Sequence, residues 1–156
     1  MTGTATIPNA TDEAFWWQGS LMTIKARAAD TGGALGLVEG IFYEGFGPPL
    51  HVHHREDEGM LALDGEIRFR RGTEEFIAGP GTLVWSPREV PHAFRVESPS
   101  ARALVIVTPG GFEQMFAERG VPVGETTEPP TLGYDPDAAR AIAGKFGFDV
   151  IGPQLT

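Results

Sequence analysis

The chain has no cysteine. That excludes disulfides, thiolate metal sites, iron–sulfur clusters and cysteine nucleophiles. Long apolar runs are missing too. The longest is five residues, Ala103 to Val107, against the about 20 that a transmembrane helix needs. Met1 to Pro8 carry neither a basic cluster nor an apolar stretch, so no secretory leader is read there. With the missing cysteines, this points to the cytoplasm. Basic side chains are few: 12 Lys and Arg stand against 21 Asp and Glu, a net charge of −9. Such a surface repels phosphate backbones and anionic lipid, so neither nucleic acid nor membrane is expected as a partner. The H-E-x-x-H pattern is absent. Arg55 and Glu56 stand where an H-x-H-x-D-H metallohydrolase pattern needs Asp and His.

Turn residues are abundant. The chain holds 21 Gly and 13 Pro among 156 residues, which favours many short strands over long helices. Leu21 to Ala28 alternates apolar with polar, as a half-buried strand does. A longer strand follows from Leu35 to Glu44. Asp64-Gly65 separates Met60–Leu63 from Ile67–Arg71, a hairpin signal. Thr82–Trp85, His92–Val96 and Arg102–Thr108 follow, each behind a Gly or Pro turn. Nine or ten short strands predict an all-β sandwich or barrel.

After Gly111 the periodicity changes. Phe112, Met115 and Phe116 fall on one face of a short helix that stops at Gly120. Residues 121–133 read as an extended linker. Asp135-Pro136 reads as a cap with Pro in the first helical position. The helix it starts runs to Phe146, and Gly147 ends it.

The chemistry centres on four histidines: His51, His53, His54 and His92. On a strand, alternate residues share a face, so His51 and His53 point together while Val52 and His54 point away. His54 is therefore expected on the surface. Two imidazoles on one strand face can chelate one metal. A bend near Arg55–Asp57 brings Glu58 back to the same ion, with Asp57 as its competitor, and His92 supplies a third imidazole. Three imidazoles and one carboxylate leave open positions on a divalent transition metal: Fe, Mn, Ni, Co or Zn. Satisfied, metal-free core histidines are the alternative. Apolar side chains near the ligands are the candidates to bind substrate: Tyr43, Met60, Phe69, Trp85 and Phe94. Ordinary core packing is their other reading.

The spacing itself resembles a known family. Gly45, five residues, His51-x-His53, four residues, Glu58, six residues and Gly65 reproduce the first sequence motif of the cupins without a departure. Gly81, Pro87 and His92 match the second motif. Glu89 stands at its inner glycine and Val96 at its terminal asparagine. More narrowly, Gly47 to Glu58, Pro91 to Phe94 and Thr108 to Phe116 look like single-domain bacterial cupins of the quercetin 2,3-dioxygenase-like group.

The resemblance implies a double-stranded β-helix (jelly-roll) barrel over residues 20–112. An N-terminal arm, 1–19, precedes it, and two short C-terminal helices with their linker, 113–156, pack on it. It implies His51, His53, Glu58 and His92 as ligands of one metal. It also implies an oxygenase acting on a small hydrophobic or aromatic enolic metabolite. Glu58 is the expected catalytic residue, a ligand whose pKa desolvation raises so that it takes a substrate proton. Alternatives are a non-redox isomerase, cyclase or lyase, and a binding cupin without catalysis. A homodimer is expected, because Leu61 and Leu63 make an outer sheet face apolar.

Overall fold

The computed structural model describes residues 13–125 and 135–156. The expectations for residues 1–12 and for the linker from 126 to 133 lie outside the described residues.

Alternating burial builds the barrel. The strands are β1 (Ala14–Trp17), β2 (Ser20–Ala26), β3 (Gly36–Tyr43), β4 (Pro49–His53), β5 (Asp57–Asp64) and β6 (Ile67–Arg71). They continue with β7 (Glu74–Ala78), β8 (Leu83–Ser86), β9 (His92–Val96), β10 (Ser100–Thr108), β11 (Val121–Pro122) and β12 (Phe148–Gln154). In β2 and β3 every second residue is buried, Met22 and Ile24 on one, Val38 and Phe42 on the other. These side chains and their equivalents on the facing sheet form one core.

Two antiparallel sheets result. Seven strands run β11-β1-β2-β3-β10-β5-β8, and five run β12-β4-β9-β6-β7. The chain leaves the smaller sheet at the end of β4 and enters the larger one at β5. Residues 54–56 make that crossing. The turn at Asp64-Gly65, expected to close a hairpin, instead carries the chain from β5 in the larger sheet to β6 in the smaller one, with Gly65 at a φ of +82°. A Cβ there would lie 2.4 Å from the Ser100 carbonyl oxygen, so glycine is required. Gly47 is equally constrained: its Cβ would meet the Phe94 carbonyl oxygen at 1.8 Å.

The helices are α1 (Gln114–Arg119) and α2 (Pro136–Phe146). The Asp135 side chain accepts hydrogen bonds from the backbone N–H groups of Asp137 and Ala138, and Gly147 ends α2 at φ +68°. Ala139, Ile142, Ala143 and Phe146 form its buried face.

The structure corrects the expected boundaries in two places. The arm drawn over 1–19 contains β1, which pairs with β2 through a two-residue turn. Gln18 and Gly19 both have positive φ there, and Gln18 is no usual sign of such a turn. The second correction is β12. Expected only as cover, it pairs with β4 as an edge strand, where Pro153 is tolerated. The C-terminal segment is thus an integral strand of the smaller sheet as well as a cover.

Candidate metal centre

The four ligand candidates meet at the seam between the sheets. His51 and His53 stand on β4, and His92 opens β9 directly opposite His51. Glu58 comes from β5 on the other sheet. All four are buried, and one ligand atom from each lies within 4.8 Å of the others. Metal bonds of about 2.0–2.2 Å allow ligand atoms on one ion to be roughly 4.4 Å apart at most. The cluster needs to contract by no more than a few tenths of an ångström.

Outer hydrogen bonds set the tautomers. His51 donates its Nδ1–H to the Pro49 carbonyl at 2.8 Å, and His92 donates its own to Val90 at 3.1 Å. His53 donates from Nδ1 to the buried Glu56 carboxylate at 2.6 Å. Each Nε2 is left to face the cluster. Those of His53 and His92 are buried with no hydrogen-bond partner among the described residues. Buried polar atoms without partners are costly, and a cation is the partner that suits a neutral imidazole nitrogen. The donor set therefore fits a divalent metal.

The charges agree. Burial, with His92 and His53 nearby, pushes the His51 imidazole down to about 3, so it stays neutral. Burial acts the same way on His53, but the Glu56 and Glu58 carboxylates against it outweigh it and carry the group up to about 9, so a metal at Nε2 would displace a proton. The expectation that desolvation raises Glu58 is reversed. Burial does push it up, yet the His53 and His92 imidazoles beside it hold it well below the usual carboxylate range. Glu58 lies 3.1 Å from His53 Nε2.

An apolar cavity of about 90 Å³ opens onto His51 and Glu58. Met22, Phe42, Met60, Phe94 and Val105 form its barrel side. Trp17, Phe112, Met115 and Phe116 close the other side. Of the residues expected against substrate, the structure brings Met60 and Phe94 to this wall. Phe69 is buried deeper in the core, stacked on Phe76. Tyr43 and Trp85 face outward, 45% and 39% exposed. Glu58 pairs with Ser86 across β5 and β8, so Ser86 shares its inward face while Trp85 lies over Gly59 on the outer one. Phe42 likewise takes the inward position beside Tyr43.

Glu56, Phe42, Phe46 and Trp17 were not singled out in the sequence. A Glu three residues after a ligand histidine was the signal available for Glu56. His54 is exposed as expected, held between Glu89 and Asp149. Asp57 pairs with Arg88 and leaves the ligand position to Glu58. Glu89 adopts the left-handed φ of +65° where the family motif has glycine. Its N–H donates to the His53 carbonyl at 2.8 Å, and its carboxylate accepts from His54.

The class is now defined: a double-stranded β-helix barrel with a three-histidine, one-glutamate cluster buried against an apolar cavity. Residues 41–109 match the cupin-domain model, and over that stretch the chain is similar to the cupins. Over 108 residues it is 28% identical to quercetin 2,3-dioxygenase of Bacillus subtilis (strain 168), covering 69% of this chain and 32% of that protein. Over 94 residues it is 26% identical to quercetin 2,3-dioxygenase of Aspergillus japonicus, covering 57% and 27%. The chain spans about a third or less of the length of these curated relatives. KdgF from Halomonas sp. shares the fold at a TM-score of 0.57 and 19% identity, over 63% of this chain and 87% of that one. So does a conserved double-stranded β-helix protein from Klebsiella pneumoniae subsp. pneumoniae, at 0.55 and 14%, over 68% and 92%. No helix among the described residues is long and apolar enough to cross a membrane.

Proposed function

We propose that this protein is a metal-dependent cupin oxygenase acting on a small, apolar, enolic metabolite. The observation that carries the reading is the ligand cluster at one end of an apolar cavity. The relationship to two quercetin 2,3-dioxygenases supports the reaction class. At about 90 Å³, the cavity is far below the roughly 300–1,000 Å³ of drug-sized ligand sites. It favours a one-ring or open-chain enol over a polycyclic flavonol.

A divalent metal held by His51, His53, Glu58 and His92 would supply Lewis acidity and open positions for substrate and dioxygen. The protein does the rest. Phe42, Met60 and Phe94 exclude water and hold the apolar body of the substrate. Glu58, ionised in the cluster, is placed to orient the enol hydroxyl by accepting its hydrogen bond. Glu56 and the Pro49 and Val90 carbonyls keep the three imidazoles aimed inward.

The test is oxygen uptake by protein loaded in turn with Fe(II), Mn(II), Co(II) and Ni(II), against hydroxypyrones, 1,3-diketones and flavonols. One dioxygen should be consumed per substrate. Undiminished turnover under strict anaerobiosis would move the protein to the isomerase, cyclase or lyase class. His51→Ala with His53→Ala should lose the metal, and full retention would overturn the ligand assignment.

A further inference from the structure

A second apolar cavity, of about 70 Å³, lies against the first. The two share one wall, made of Trp17, Pro48, His51, Phe112 and Met115. His51 therefore borders both spaces. The far side of the second cavity is built by the C-terminal segment, Ala139 and Ile142 of α2 with Phe148 and Val150 of β12. Neither α2 nor β12 contributes to the inner cavity. Among the described residues, no Lys, Arg, Asp or Glu lines the outer one.

The partition between them consists of side chains. Phe112 stands edge-on to His53, with ring centroids 4.7 Å apart, and edge-on to Phe148 at 5.7 Å. Met115 is unbranched and turns readily between rotamers. Turning the Phe112 and Met115 side chains would join the two spaces next to His51. A molecule held at the cluster then has a second direction open to it, outward under α2.

We propose that the outer cavity is a substrate subsite that takes a short, uncharged apolar substituent, and that Ala139 and Ile142 set its length. The proposal rests on the metal–enol reading above. It gives the C-terminal segment a role in specificity as well as in cover.

The probes are 3-hydroxy-4-pyranones carrying 2-methyl, 2-ethyl, 2-propyl and 2-butyl groups. They are titrated calorimetrically into the full Ni(II)-loaded chain without oxygen. Affinity should rise about three- to fourfold per added methylene until the chamber is full. Ile142→Phe fills that chamber from α2. It should flatten the series while the methyl compound's Kd stays within about twofold of its starting value. Ala139→Leu fills the same chamber from one turn earlier and serves if Ile142→Phe folds poorly. Binding with no dependence on chain length, or a slope retained in both variants, overturns the subsite alone. A methyl compound that does not bind overturns the metal–enol reading and the subsite with it.

Discussion

His53 donates its Nδ1–H to Glu56 across 2.6 Å, and both side chains are buried. Glu56 fixes which nitrogen of His53 faces the cluster. Partners of this kind are worth about 10- to 100-fold in metal affinity. Glu56→Ala should weaken binding by that factor, measured by competition with a chromophoric chelator, while Glu56→Gln keeps an acceptor and loses less. Glu113 is a second residue the sequence did not mark. It is 0% exposed, and its carboxylate accepts from the backbone N–H groups of Ala28 and Gly111, both at 2.6 Å. Gly36 makes room for it: a Cβ there would lie 2.2 Å from Glu113 Oε2. Glu113→Ala strands two backbone donors and should cost about 3 kcal/mol. Melting should then fall by about 6–12 °C, with metal content unchanged. Equal melting temperatures by calorimetry would remove this latch from the account.

At the scale of elements, β4 lies between two neighbours of different origin. On one side β9 sets His92 opposite His51. On the other, β12 pairs Phe148 with His53 and Val150 with His51. A strand flanked on both sides holds its side chains in one register, which is what a metal site demands. Removing α2 and β12 by ending the chain at Glu125 exposes the β4 edge and uncovers the outer cavity. The truncated protein should still bind one metal, because Glu58 and His92 stand on other strands. It should melt at a lower temperature and release the metal faster to a chelator in a stopped-flow measurement. Unchanged release would show that β9 alone holds β4 in place.

For the whole molecule, the outer face of the larger sheet carries the unsolved packing problem. Leu83 and Trp85 on β8 are exposed, 54% and 39%. Leu61 pairs with Leu83 and also with Leu104 of β10, so the apolar stripe crosses three strands. Charges flank it in opposite-sign pairs, Arg102 with Glu39 and Arg88 with Asp57. That local balance lets two copies approach despite a net charge of −9 each. We propose a homodimer that joins these faces about a two-fold axis, which sets the same stripe against itself. Light scattering at micromolar concentration should give twice the chain mass, and Leu83→Glu with Trp85→Glu should halve it. A native chain that scatters as a monomer would overturn the proposal.

Local signals were legible wherever neighbours in the chain carried them. The spacing of His51, His53 and Glu58 marked three ligand candidates, because all three lie on one short segment folded back on itself. Asp135, Pro136 and Gly147 bounded α2 because helix caps act within a few residues. Alternation gave the phase of each strand by itself, hence the outward position of His54. It did not say which strand lies beside which. The inward partner of Glu58 is Ser86 rather than Trp85, and only the β5–β8 register decides that. The pairing of β12 with β4 joins residues about 95 positions apart, and no local pattern in Phe148–Gln154 specifies it. The same holds for Glu113 and for the two cavities meeting at Trp17, Phe112 and Met115. Periodicity reports how a segment divides itself between core and solvent. Register, and the shape of the space left between packed side chains, are set by burial summed over the whole chain.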